Sequence, residues 1–267
     1  MSDTAAPRVH WRPPPVLGTP ARQRLAWLAA GLYLLWSLAT LGIDWRRVLA
    51  GFGRAADILV RMVPPDFSRW ELLAKGMTES LQMAFAATAA GIVLAVPLGL
   101  AAARNLAPRP LYLAARGAIV VGRTFHEVII AIFCVKLFGF GPVAGLLTLS
   151  FASAIFLAKM LAEDIENVRS GPIEAVRATG AGFGQLVVYA VVPQVLTRAV
   201  GTAIYRLDAN VRHSTIVGIV GAGGIGQTLS SSFSRYDYDF ALAILLGIVA
   251  LVALGEWFSD WVRRRLQ

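Results

Sequence analysis

Apolar residues in this chain run in long blocks. A helix that crosses a hydrocarbon layer ~30 Å thick needs roughly 20 such residues in succession. Residues 25–43, 81–103, 111–138, 140–158, 194–220 and 240–258 each supply a block of that kind, which predicts an all-α, polytopic membrane protein with about six spans. Blocks 111–138 and 194–220 carry several charges. The first block follows Arg8, Arg12, Arg22 and Arg24, as the core of a signal peptide would. It exceeds the roughly 7–15 residues of such a core and no small-residue cleavage site follows it, so it is read as the first span.

Between the first two blocks, residues 44–80 carry Arg46, Arg47, Arg54, Arg61, Arg69 and Lys75, offset by nearly as many acids. Within that segment, 45–63 has the pattern of an amphipathic helix lying on the outer surface. The second block places Ala87, Gly91, Ala95, Gly99 and Ala103 at intervals of four. Five small residues on one helix face predict close packing, within the chain or at a seam between two copies. Pro97 removes a backbone donor from the same helix and should kink it.

Composition agrees with the bilayer as solvent. The chain is 57% hydrophobic and only 15% charged, with a mean hydropathy of +0.62, too apolar for an ordinary water-soluble domain. The blocks leave room for one domain, 25–267, behind a cytoplasmic arm, 1–24. A net charge of +9 would raise nucleic acid as a partner in a soluble protein, but these arginines cluster beside apolar blocks and act as topology signals. They place the arm, the 104–109 turn, the 159–184 loop and the Arg263, Arg264, Arg265 tail in the cytoplasm. Both termini are then inside and 44–80 outside. Cys134, alone within an apolar block, excludes an intrachain disulfide.

Two glycine-bearing motifs stand out, and the first carries mechanism. The segment 174–193 reads EAVRATGAGFGQLVVYAVVP. Pro172 and Glu174 open it as proline and an acid open a helix, and the small Ala175, Ala178 and Gly180 would let a protein partner approach the backbone. The apolar Ile173, Val176 and Phe183 would otherwise lack a partner. Gly221, Gly223 and Gly226 spell a Gly-x-Gly-x-x-Gly, but no strand precedes them and no acid follows about 20 positions on, so they are read as closing the fifth span with tight backbone packing. A phosphate-binding Gly-x-x-x-x-Gly-Lys-Ser/Thr loop does not occur, so ATP hydrolysis would need a partner.

The segment 174–193 resembles the cytoplasmic coupling loop of binding-protein-dependent ABC importers, with Glu174, Ala175, Gly180 and Pro193 at the matching spacings and Val176, Ala190 and Val192 replacing the usual Ala, Ile and Leu. The strings RTFHE at 123–127, GFGP at 139–142 and YRLDANVRHSTIVGIVGAGGIGQ at 205–227 are similar to the phosphonate and phosphite branch of those permeases, where proline is common at the position of His126. This resemblance implies a type I importer permease, importing phosphonate, phosphite or a related phosphorus oxyanion across the bacterial inner membrane. It implies a second copy of the chain, cytoplasmic ATPase subunits that bind ATP and Mg, and an extracytoplasmic substrate-binding protein. It implies no catalytic residue and no cofactor in this chain. Docking on the ATPase would fall to Glu174, Ala175, Gly180 and Pro193. Permeases for methionine or phosphate are nearer rivals, and a membrane enzyme or proton-coupled carrier using Glu127, Asp208 and His126 a more distant one.

Ionised groups near a bilayer centre cost ~3 kcal/mol each on insertion scales and usually face a bundle interior or a watery path. Arg123 with Glu127, and Asp208 with Arg212, are spaced i and i+4 on single predicted helices and could neutralise each other. Arg206 has no such partner. Three arginines against two acids leave a positive surplus suited to an oxyanion, so Arg123, Glu127, Arg206, Asp208, Asn210 and Arg212 are candidate path residues, against the alternative that they brace broken helices. His10 and His213 have no second ligand at metal spacing and are read as ordinary polar residues.

Overall fold

The computed structural model describes residues 19–42 and 44–266, and among these it is helical throughout, with no strand. Four helical stretches are long and apolar enough to cross a membrane, Trp70–Ala101, Pro142–Glu166, Phe183–Ser234 and Tyr238–Val262. Two bent pairs, 21–40 with 45–62 and 109–124 with 127–138, bring the number to six. Most of the N-terminal arm, including His10, and Ile43 lie outside the described residues.

The chain divides into two compact units, 1–59 and 60–267. In the first, helix α1 (Pro20–Thr40) is apolar on all sides and exposes Leu25, Leu28, Leu32, Leu35 and Trp36, a surface that only lipid or another protein can cover. Helix α2 (Trp45–Met62) starts there and is the amphipathic helix expected at 45–63. Its N-terminus is capped by Asp44, whose Oδ1 accepts from the N–H groups of Arg46 (3.0 Å) and Arg47 (3.3 Å).

The second unit is a bundle centred on α3 (Trp70–Ala101), α6 (Pro142–Glu166) and α9 (Val192–Ile219), with α4 (Arg109–Thr124) and α5 (Glu127–Phe138) along α6, and α10 (Gly224–Ser234) and α11 (Tyr238–Leu266) along α9. The small-residue stripe of α3 faces α6. A Cβ placed on Gly91 would come 2.5 Å from Cβ of Ser153, and Ala87 and Ala95 are buried. Ala103 lies past the end of α3 and packs with Ile165, Leu186, Val191 and Val195. The stripe is spent inside the chain and is not a seam between copies.

Four expectations need correction. Helix α3 begins at Trp70, eleven residues before the apolar block, because Glu71, Lys75 and Glu79 can sit on its outer turns, with Lys75 and Glu79 paired at i and i+4. Helix α6 runs on to Glu166, with Lys159 and Glu163 paired in the same way, so the connecting segment expected from 159 starts at Asn167. The block 111–138 is not one straight helix: it breaks at Thr124–His126, and α4 and α5 meet at 89°. Phe125 is extended there and His126 caps α5, its Nδ1 accepting from the N–H of Val128 at 3.3 Å. Finally, the glycine string does more than close a span. It turns the chain with positive φ at Gly221, Gly223 and Gly224 and launches α10. A Cβ on Gly226 would collide with the carbonyl oxygen of Thr215 in α9, so glycine is what allows α10 to lie against α9.

Candidate functional site

Helix α7 (Ser170–Ala178), the short α8 (Phe183–Leu186) and a π-helical turn (Val187–Val191) link α6 to α9. Ile173 and Val176 turn inward onto Ile165, Leu186, Val191 and Val195. The N–H of Arg169 donates to Oε1 of Gln194 at 2.9 Å, which ties the start of α7 to the start of α9. Two of the three apolar residues expected to need a partner protein are therefore satisfied within the chain. Phe183 is not; it stays 60% exposed. The outer face of α7 presents Glu174, Ala175, Arg177 and Ala178. Ala175 and Gly180 line an open cleft with Thr179, Gln185 and the exposed Tyr189. Gly180 ends the helix with φ +79° and meets nothing within 4 Å, so its role here is the turn. Pro193 does not line this cleft; it sits in the first turn of α9, directly after the π-helical turn.

The second constellation lies inside the bundle. Arg206 of α9 is 6% exposed. Its Nη2 meets Oε1 of Glu127 at 2.8 Å, its Nε donates to Oγ of Ser153 at 2.9 Å, and its guanidinium stands 5.5 Å from the centre of the Phe156 ring. His213 Nδ1 contacts the other oxygen of Glu127. Asn210, fully buried, donates from Nδ2 to Thr88 of α3 (2.9 Å) and Ser153 of α6 (2.8 Å). One turn away, Arg212 reaches Asp208 at 2.8 Å and, across to α11, Glu256 at 2.9 Å.

These contacts revise the charge reading. The i, i+4 pairing of Arg123 with Glu127 does not form, because the chain breaks between them. Arg123 ends α4 exposed, with no acidic partner among the described residues. Arg206, expected to be unpaired, is the most completely engaged of the three arginines. Glu256, unnoticed because it sits within the apolar last span, is the third acid, and the positive surplus inside one chain is cancelled. His213, read as an ordinary polar residue, braces Glu127. Ser153 and Thr88 carried no signal, since single hydroxyls are common in apolar helices. The expected Asp208–Arg212 pair does form. Along its open edge the cluster is neither lipid-like nor closed: Glu127, Arg212 and His213 are each partly exposed.

Residues 95–267 match the family described as binding-protein-dependent transport system inner membrane component. The chain belongs to this family. Its members are transport permeases rather than enzymes, inner-membrane components that work with a separate ATPase and a substrate-binding protein. The phosphite transport system permease protein PtxC of Stutzerimonas stutzeri is 38% identical over 226 residues, covering 84% of this chain and 82% of that protein. The phosphate-import permease protein PhnE of Mycolicibacterium smegmatis is 43% identical over 214 residues, 79% of this chain. The aligned part spans only 40% of that relative's length. Among solved structures, an inward-facing MetNI methionine ABC transporter contains a chain that superposes with a TM-score of 0.66 at 27% identity, over 76% of this chain and 99% of its own. The type I permease fold is thereby shared, and family membership sets aside a membrane enzyme or proton-coupled carrier.

Proposed function

We propose that this permease imports a phosphorus oxyanion, such as phosphite, phosphate or a phosphonate, as a homodimer with both termini in the cytoplasm. The observation that carries the reading is the continuity of α9. This 28-residue helix starts at the α7–α8 docking segment and bears Arg206, Asp208, Asn210 and Arg212. At 1.5 Å per residue these lie roughly 21–30 Å along one rod from its tied cytoplasmic end. A movement imposed on α7 by ATPase subunits that close on ATP and Mg would reach the intramembrane cluster through that rod. Glu174, Ala175 and Gly180 would meet the ATPase groove. Arg123 keeps an exposed guanidinium, unpaired among the described residues, for an oxyanion, and Arg212 a partly exposed one that would trade Asp208 or Glu256 for it. Glu127, Arg206, Asp208 and Asn210 line and brace the path. The curated relatives above carry phosphite and phosphate in their names, which supports the substrate class.

The test is uptake by proteoliposomes holding the permease with its ATPase and binding protein, supplied in turn with phosphite, methylphosphonate, phosphate and methionine. ATP-dependent uptake of a phosphorus oxyanion is expected, and uptake of methionine alone would overturn the substrate reading. Arg123→Ala and Arg212→Ala should each lower uptake about tenfold or more, the loss of a good charge-assisted contact, with the complex still recoverable. Full uptake by both variants would remove the path role.

A further inference from the structure

At the opposite edge of the bundle from the glycine turn, residues 102–108 connect α3 to α4. This connection is pinned. The backbone N–H of Arg104 donates to Oε1 of Glu166 at 2.8 Å, and Arg116 Nη2 meets the same oxygen at 2.9 Å. Arg116 Nε also donates to the carbonyl of Ala102 at 2.9 Å, and Asn105 Nδ2 to the carbonyl of Ile165 at 2.8 Å. Oε1 of Glu166, a carboxylate at this end, is thus taken up by a backbone donor and by Arg116. The guanidinium groups of Arg104 and Arg109 are left exposed, with no acidic partner among the described residues. Both line a cleft of about 510 Å³ whose other walls are Ala107, Tyr112 and Leu113.

A solvated pair of topology-setting arginines would explain the charge, but not its convergence on a walled cleft. Nor would it explain what continues from the cleft: Leu113, Val120 and Val121 run exposed down the side of α4 that faces away from its buried Ala115, Ile119 and Gly122. Two guanidinium forks fit the oxygens of a phosphate. An amphipathic tyrosine ring suits the membrane–water interface, and exposed aliphatic side chains suit acyl chains. Basic clefts beside spans at the cytoplasmic surface bind anionic head groups for these reasons. We infer that Arg104 and Arg109 hold the phosphate of an anionic phospholipid whose chains lie along α4. The inference rests on the membrane reading and on the proposed orientation, which puts 102–108 at the cytoplasmic surface, and is independent of the transported substrate. The lipid would tie the α3–α4 turn to the leaflet while the ends of α6 and α9 move.

Native mass spectrometry of the assembled transporter, released from nanodiscs of phosphatidylcholine with phosphatidylglycerol, counts retained lipid. The wild type should retain phosphatidylglycerol selectively and gain thermal stability from it. Arg104→Gln with Arg109→Gln, which leaves the Arg116–Glu166 clamp intact, should reduce that retention about tenfold and abolish the thermal shift. Lys136→Gln with Arg235→Gln removes the same charge from other exposed sites and should change neither. Undiminished retention in the first double variant, or an equal loss in the second, would overturn the assignment. So would an equal thermal shift from millimolar inorganic phosphate without lipid, which would make the cleft a free-anion site.

Discussion

Truncating Glu127 should destabilise the bundle by about 3–5 kcal/mol, since it leaves a buried charge without its partner. In Glu127→Ala the Arg206 guanidinium would keep one hydrogen bond, to Ser153, and its approach to Phe156. Its side chain is only 7% exposed, so water cannot replace the lost carboxylate at Arg206 itself. The Glu127 side chain is 20% exposed, and water admitted at that end favours the lower part of the range. Even about 3 kcal/mol shifts a folding equilibrium by more than 100-fold. Arg206→Met combined with Glu127→Met removes both charges and fills the space with apolar side chains. That double variant should fall within about 1 kcal/mol of wild type, so a double-mutant cycle should give a coupling energy of at least about 2 kcal/mol, larger by whatever Arg206→Met costs alone. The measurement is unfolding of the purified permease in mixed micelles titrated with denaturing detergent. Single variants each within 1 kcal/mol of wild type, or a double variant as unstable as the sum of the singles, would refute the buried-pair argument.

Three further outcomes test other parts of the structure. Gly226→Ala puts a methyl group onto the Thr215 carbonyl and should cost about 1–3 kcal/mol or more, whereas Gly117→Ala, with nothing within 4 Å in the middle of α4, should be neutral or gain about 0.5–1 kcal/mol; thermal unfolding of the two variants compares them. Ala175→Leu enlarges the exposed face of α7 without backbone strain, and should leave the permease inserted but lower co-purification of the ATPase and its stimulation by loaded binding protein; Gly180→Asn, which tolerates positive φ, should retain both better than Gly180→Leu. Reporter fusions should be active in the cytoplasm when joined after 267 and on the outer side when joined within 54–61, and the reverse pattern would sink the orientation.

How much was legible follows from the range of the forces involved. Transfer of apolar side chains from water is additive along the chain, so composition and block length sufficed for a helical membrane protein of about six spans. The amphipathic helix at 45–62 and the short helix α7 were legible for a similar reason: periodicity and N-terminal residue types act within a few turns. The small-residue stripe on α3 announced close packing, but only the neighbour decided that Ser153 and α6, rather than a second copy, fill it. The break at Thr124–His126 escaped because an apolar count is blind to one extended residue and one capping side chain. It changed the chemistry most, since a straight helix would have paired Glu127 with Arg123. Folded, Glu127 meets Arg206, 79 positions away, and Arg212 meets Glu256, 44 positions away. The sequence by itself determined which residue types would have to be neutralised inside the membrane. Which groups neutralise one another depends on distances of about 3 Å between separate helices, and tertiary packing alone sets these.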